Sequence, residues 1–133
     1  MKKTVLWVVS VLIVLGLAAS VLFLIKPESR VYAEKDATTI IEVEAGDTFT
    51  ITLKENPSTG FSWHYTIDPE TAISLVSDQF IVTEPKDIVG APGKHEFVFK
   101  AMEAGNVLLK FEYYQPWEPE NIEETYLFNF TVR

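Results

Sequence analysis

The sequence contains no cysteine among its 133 residues. That absence excludes disulfides, thiolate metal sites, a cysteine nucleophile and a lipidated cysteine as a membrane anchor. The length fits one domain of ordinary size. We therefore expect a single core that is stabilised by burial of apolar side chains alone.

Residues and motifs that carry catalysis are also scarce. The two histidines, His64 and His95, show no metal-ligand spacing such as His-x3-His, and no Gly-x-Ser-x-Gly motif occurs. An acidic run near the C-terminus lacks the Asp-x-Asp-x-Asp-Gly pattern of a calcium loop, and we interpret it as a solvated loop: Glu118, Glu120, Glu123 and Glu124. We predict no enzyme, no metal site and no cofactor.

Positive charge is concentrated at the N-terminus. Four basic residues and one acidic residue precede Glu34, and seven basic and eighteen acidic residues follow from there, which gives net charges of +3 and −11. Phosphate backbones repel so acidic a domain, and no basic stripe interleaved with aromatics is present. Nucleic acid is therefore not an expected partner.

Residues 4–25 carry no charge and follow a short basic start. At about 1.5 Å per residue, this segment just spans a hydrocarbon core of about 30 Å, which predicts one hydrophobic helix. Its length favours a retained membrane anchor. Pro27 and the small residues around Val31 and Ala33 favour instead a signal peptide that is cleaved after Ala33.

Both alternatives make residues 1–33 an export segment, with a tether that continues to residue 37. Both also leave Lys2 and Lys3 inside and the acidic domain outside, as the positive-inside rule expects. We expect an extracytoplasmic protein, either anchored by its N-terminal helix or secreted. The membrane is a partner only if the segment is not cleaved.

From Thr38 onward, apolar residues recur at every second position, which is the period of a half-buried strand. Turn residues rich in Gly, Pro, Asn and Asp separate the segments. Seven strands are predicted, at 40–43, 49–53, 61–67, 73–81, 97–101, 107–113 and 126–132. Residues 38–133 are thus predicted to form an all-β, immunoglobulin-like sandwich of two sheets.

Three connections carry residues that an ordinary turn does not need. The first loop (56–61), the second loop (90–93) and the third loop (115–117) read Asn56-Pro57-Ser58-Thr59-Gly60-Phe61, Gly90-Ala91-Pro92-Gly93 and Gln115-Pro116-Trp117. In the first loop, Pro57 fixes φ, Asn56 can cap the turn and Gly60 permits a positive φ, so a stiff projecting loop is expected. An ordinary proline turn is the alternative.

The third loop holds Trp117 between prolines, and an exposed Trp is the commonest interface anchor. The alternative is that Trp117 folds back to cap the end of the sandwich. In a Greek-key order, the connections after the second, fourth and sixth predicted strands emerge at one end. The three loops are therefore expected to converge.

The three loops, in this order and spacing, resemble the signature loops of the chagasin family. That family has Asn-Pro-Thr-Thr-Gly followed by Tyr or Phe, then a Gly-rich loop, then Arg-Pro-Trp before the last strand, and the resemblance covers 38–133. Two positions depart from the pattern: Ser58 stands where the family prefers Thr, and Gln115 where it prefers Arg. Losing the guanidinium removes strong planar donors, so affinity or target range is expected to differ.

The resemblance implies a reversible inhibitor of papain-like cysteine peptidases. Separately, we expect the protein to be a monomer. The first loop would enter the active-site cleft with Thr59 near the catalytic thiol. Trp117 would pack on the leaving-group side of the cleft, and the second loop would contact the opposite side.

Two other functions fit the same residues. One is an immunoglobulin-like extracellular module for adhesion or glycan binding, with Trp117, Tyr113 and Tyr114 as a stacking platform. The other is a partner domain in an endogenous membrane complex.

Overall fold

The computed structural model describes residues 29–83, 90 and 92–133. The hydrophobic helix predicted at 4–25 and the loop residue Ala91 lie outside these residues. Within the described part of the chain, no helix is long and apolar enough to cross a membrane.

Over the described residues, eight β-strands form two four-stranded sheets. In spatial order, one sheet consists of β1 (Arg30–Ala33), β3 (Thr48–Glu55), β6 (Gly93–Ala101) and β5 (Ile73–Val82). The other consists of β2 (Ile40–Val43), β8 (Glu124–Val132), β7 (Gly105–Tyr114) and β4 (Ser62–Asp68). Short 3-10 turns occupy Glu34–Asp36 and Pro57–Thr59. The all-β, two-sheet prediction is confirmed, and each of the seven predicted strands is present.

The core lies between the two sheets and is rich in phenylalanine. The alternation that predicted the strands places one set of side chains inward, because successive residues of a strand point to opposite faces. Five phenylalanines are almost completely buried: Phe49, Phe99, Phe111, Phe128 and Phe130. The rings of Phe49 and Phe130, from opposite sheets, have centroids 4.5 Å apart. Each such side chain contributes about 1.5–3 kcal/mol by leaving water.

Residues 30–33 were predicted to precede the folded domain, but they form strand β1 of the sandwich. β1 pairs in parallel with β3. The ring of Tyr32 packs edge-on against Phe49 and Phe130, at centroid distances of 6.3 and 6.1 Å. No pattern in the sequence indicates this strand, because it has only four residues and its partner strand lies beyond β2 in the chain. Cleavage after Ala33 would remove it.

The turn after β1 also belongs to the fold. A carboxylate oxygen of Glu34 accepts a hydrogen bond from the Lys54 N–H at 2.7 Å. The Asp36 carboxylate accepts one from the Ala33 N–H at 2.8 Å, and Ala37 is buried. Residues 30–37 of the predicted tether are therefore part of the fold.

The direction of β3 shows which end of the sandwich holds the first loop and which end the chain enters. β3 ends at Glu55 and runs directly into the first loop. Because β1 is parallel to β3 with Arg30 opposite Phe49, the chain enters the sandwich at the end that lies away from the first loop. The turn at Gly46 lies at that same entry end, since it precedes β3.

Candidate functional site

The first loop is a single tight turn that is held by its own polar groups. The Asn56 side-chain oxygen accepts hydrogen bonds from the Ser58 N–H at 3.2 Å and the Ser58 hydroxyl at 2.6 Å. The Thr59 hydroxyl donates to the Asn56 carbonyl at 2.7 Å. Gly60 closes the turn with φ of +78°, the left-handed region that favours glycine. The predicted cap and positive φ are both confirmed, and residues 57–59 stay exposed.

Aromatic residues anchor the first loop to the sandwich. The Asn56 N–H donates to the Tyr113 hydroxyl at 3.2 Å. The Tyr113 ring packs against Phe61 and Trp63, with centroids 5.3 and 4.6 Å away, and the Trp63 indole N–H donates to the Lys54 carbonyl at 2.9 Å. Tyr113 is buried, as its strand pattern predicts, but its hydroxyl also fixes the start of the loop. This second role depends on the packing of the two sheets, since the first loop follows β3 and Tyr113 lies in β7 of the other sheet, and it has no signal in the sequence.

The third loop lies directly against the first. The side-chain amide of Gln115 donates to the Thr59 carbonyl at 2.9 Å. The Trp117 indole is 66% exposed, yet it lies over Gly60, where an added Cβ would be 2.5 Å from the indole Cη2. Of the two placements considered for Trp117, the exposed one is observed. Gly60 is needed both for its φ and for the space that the indole takes.

The second loop approaches the first from another side. Gly90 has φ of +77°, and a Cβ there would lie 3.3 Å from the Ser58 Cβ. Pro92 is exposed. Gly93 was predicted to belong to the second loop, but it is the first residue of β6 and is buried. The Phe80 ring occupies the space that a side chain at position 93 would take. Gly93 is therefore part of the framework beneath the second loop.

The three loops thus converge at one end of the sandwich, as expected from the strand order. The first loop lies close to the second where Ser58 approaches Gly90. It contacts the third loop through the Gln115–Thr59 hydrogen bond and through the Trp117 indole over Gly60. The assembled edge has exposed residues that are nevertheless fixed in place.

A histidine–carboxylate pair lies beneath this edge. Glu55, the residue before the first loop, is buried, and its carboxylate lies 2.6 Å from His95 Nδ1. Asp78 lies 3.6 Å from His95 Nε2, too far for a hydrogen bond, so it acts through its charge. Burial of the ring lowers the pKa of His95, but the hydrogen bond and charge of Glu55, with the charge of Asp78, outweigh this and raise the pKa above its usual 6.5.

The remaining polar candidates have structural contacts or lie in solvent. The His64 ring stacks on Tyr114 with centroids 3.8 Å apart. Within the described part of the chain, no three His, Asp or Glu side chains are grouped to hold a metal ion. The acidic run after Trp117 is exposed throughout.

The stacking platform suggested for glycan binding is not assembled. Tyr113 is buried, one face of Tyr114 is covered by His64, and only Trp117 offers a largely exposed ring. This geometry does not favour the adhesion or glycan-binding alternative.

The chagasin family peptidase inhibitor model matches residues 42–132. This chain belongs to the chagasin family. Amoebiasin-2 from Entamoeba histolytica is 31% identical over 91 residues, which are 67% of this chain and 72% of that protein. The predicted family is confirmed, and so is the prediction of a peptidase inhibitor rather than an enzyme.

Solved structures give the same result. The crystal structure of the cysteine protease inhibitor EhICP2 from Entamoeba histolytica has a TM-score of 0.70 and 26% identity, and covers 81% of this chain and 100% of that chain. PbICP-C, solved in complex with falcipain-2, shares the fold at 19% identity and a TM-score of 0.57, over 82% of this chain and 94% of that one. The chain therefore has the fold of the chagasin-family cysteine peptidase inhibitors.

Proposed function

We propose that this chain is a reversible inhibitor of papain-like cysteine peptidases and that it occludes the active-site cleft with the three loops. The family, the description of EhICP2 as a cysteine protease inhibitor and the complex of PbICP-C with falcipain-2 support this proposal. The single observation that carries it is the first loop, whose residues 57–59 are exposed yet held rigid by hydrogen bonds.

Rigidity favours tight binding because little freedom is left to lose on docking. Each mobile side chain that is immobilised at an interface costs about 0.5–1.5 kcal/mol. The Ser58 and Thr59 hydroxyls are already hydrogen-bonded in the free inhibitor. An interface of about 800 Å² per partner then suffices for stable association.

The shape of the first loop also explains how the inhibitor would avoid cleavage. Residues Pro57–Thr59 form a 3-10 turn that is closed by the Gly60 N–H on the Pro57 carbonyl at 3.1 Å. A peptide is recognised as an extended strand when its backbone pairs with a partner's edge, and this turn cannot adopt that form without losing its hydrogen bonds. The chain has no cysteine, so a disulfide with the catalytic thiol is excluded.

Within this proposal each loop has a separate part. The first loop occupies the cleft with Thr59 nearest the catalytic thiol, and Trp117 packs against the leaving-group side. The second loop, through Gly90 and Pro92, contacts the opposite side. Gln115 and Gly93 support the loops without contacting the peptidase. Gln115 is hydrogen-bonded to Thr59, and Gly93 is buried in β6.

The export segment of the sequence belongs to the same proposal. If residues 4–25 anchor the protein, residues 26–29 reach at most about 14 Å before the sandwich begins. The chain enters at the end away from the loops, and β3, with eight residues, separates the two ends by about 26 Å. An anchored inhibitor would therefore present its three loops away from the membrane. A cleaved form would be processed before Arg30, which keeps β1.

The direct test is steady-state inhibition of papain and of a cathepsin L-like enzyme by residues 29–133, with a serine peptidase as control. We expect reversible, competitive inhibition of the cysteine enzymes alone, and weaker inhibition by Thr59→Gly. Failure against every papain-like enzyme tried would contradict the proposal.

A further inference from the structure

Gln115 departs from the family pattern, and in the structure its side chain is turned toward the inhibitor itself. Its amide donates to the Thr59 carbonyl at 2.9 Å, and the side chain is half-buried. The Gln115 backbone is fixed in turn, because its carbonyl accepts the Glu118 N–H at 2.8 Å. Pro116, the next residue, further restricts this turn.

We propose that Gln115 is a positioning residue, which sets the orientation of the Thr59–Gly60 peptide and couples the third loop to the first. This inference rests on the proposed function, because it assigns a task to Gln115 within the same inhibitory edge. A positioning role differs from direct contact with the target peptidase. Direct contact is the role that an exposed, positively charged side chain at this position would suit.

The geometry of one peptide plane carries the argument. The Thr59 carbonyl and the Gly60 N–H belong to the same planar unit, so fixing one fixes the other. Gln115 holds the carbonyl, Pro57 accepts the Gly60 N–H at 3.1 Å, and the Trp117 indole lies over Gly60. Residues 115 and 117 of one short turn thus hold the peptide through two separate contacts. Thr59 is the residue that the proposal places nearest the catalytic thiol.

The expected size of the effect follows from the hydrogen bond. A neutral hydrogen bond between side chain and backbone has a net value that corresponds to about a three- to tenfold change in an equilibrium constant. Without this hydrogen bond the first loop would sample other orientations. Binding would then have to order the loop again, which lowers the affinity of the inhibitor.

The experiment compares Gln115→Ala and Gln115→Glu with the control Gln79→Ala, all in the full chain in detergent micelles. Gln79 lies exposed on β5, and its amide makes only a long contact of 3.5 Å with Glu96. Two quantities are measured: NMR-detected hydrogen exchange of the Thr59 and Gly60 amides in the free protein, and the inhibition constant against papain.

We expect Gln115→Ala to speed exchange of these amides and to weaken inhibition about three- to tenfold. Gln115→Glu should weaken it more, because a carboxylate cannot donate and would face the Thr59 carbonyl. Gln79→Ala should change neither quantity. Unchanged exchange in both Gln115 variants would overturn the inference, whatever the inhibition. Faster exchange with unchanged inhibition would overturn it as well.

The two proposals can fail separately. A wild-type chain that inhibits no papain-like enzyme contradicts the proposed function. The exchange measurement needs no peptidase, so it still decides whether Gln115 fixes the first loop.

Discussion

The two ends of the sandwich are ordered by different forces. At the entry end, Tyr32 packs its ring between the sheets, against Phe49 and Phe130. At the loop end, residues 57–59 of the first loop stay in solvent and are fixed by hydrogen bonds, by Pro57 and by Gly60.

The difference follows from what each end must do. Apolar burial is the strongest source of order, but it removes side chains from any partner. A binding surface has to remain accessible, so it is ordered by short-range hydrogen bonds and restricted backbone angles. Truncation of a packed side chain at the entry end should therefore mainly reduce stability, whereas truncation of an exposed side chain at the loop end should mainly reduce binding.

The largest effect is expected from Tyr32→Ala at the entry end. Truncating a packed aromatic side chain costs about 3 kcal/mol when it leaves a cavity, and Tyr32 touches a ring from each sheet. We expect a loss of about that size in the free energy of unfolding, measured by urea denaturation.

Val31→Ala is the matched control, because Val31 is the neighbour in β1 and is 62% exposed. It should change stability by less than about 0.5 kcal/mol. If both variants unfold at the wild-type urea concentration, β1 does not contribute to the fold.

Trp117→Ala should show the reverse pattern. Loss of a central Trp from an interface typically costs about 2 kcal/mol of binding, or about a 30-fold increase in the inhibition constant. Because the indole is largely exposed, the urea midpoint should stay close to that of the wild type. Met102→Ala, which also truncates an exposed apolar side chain but does so at the entry end, should leave inhibition unaltered. Equal effects of the two variants on inhibition would remove Trp117 from the binding surface.

Gly60→Ala separates backbone strain from the indole contact. Gly46→Ala is its control, since Gly46 also has a positive φ, of 95°, but has open space around it. Both substitutions should cost about 1–2 kcal/mol of stability from the left-handed backbone. Only Gly60→Ala should displace Trp117 and weaken inhibition, by about tenfold or more. A similar loss of inhibition in both variants would mean that strain alone disturbs the edge.

The smallest effect concerns the pH dependence that the His95–Glu55 pair introduces beneath the loops. The folded state raises the pKa of His95, so it binds the proton more tightly than the unfolded chain does. This stabilisation is fully present below the unfolded value of about 6.5 and is lost as the pH rises through the folded pKa. The difference in unfolding free energy between wild type and His95→Gln should therefore be larger at pH 5 than at pH 8. A difference that stays constant or grows with pH would contradict the assignment.

Most of the strands and much of the inhibitory edge could be predicted from the sequence, because their causes are local. Alternation of apolar residues depends on the geometry of one strand, so Phe49, Ile51 and Leu53 identify their own buried face. The turn at Asn56 depends on one capping side chain and the φ of Gly60. Each of the three loops is indicated by its own residues, and the strand order predicts that the loops meet.

Only the tertiary structure decided the contacts between distant segments. β1 pairs with a strand that follows it after a crossover, Gly93 is buried because Phe80 lies beside it, and Gln115 reaches Thr59 because two loops meet. Each depends on positions that are set by the whole sandwich rather than by neighbouring residues. The sequence by itself thus determined seven of the eight strands and the stiff turns, because their causes are local. Tertiary packing determined β1 and which exposed residues hold one another in place.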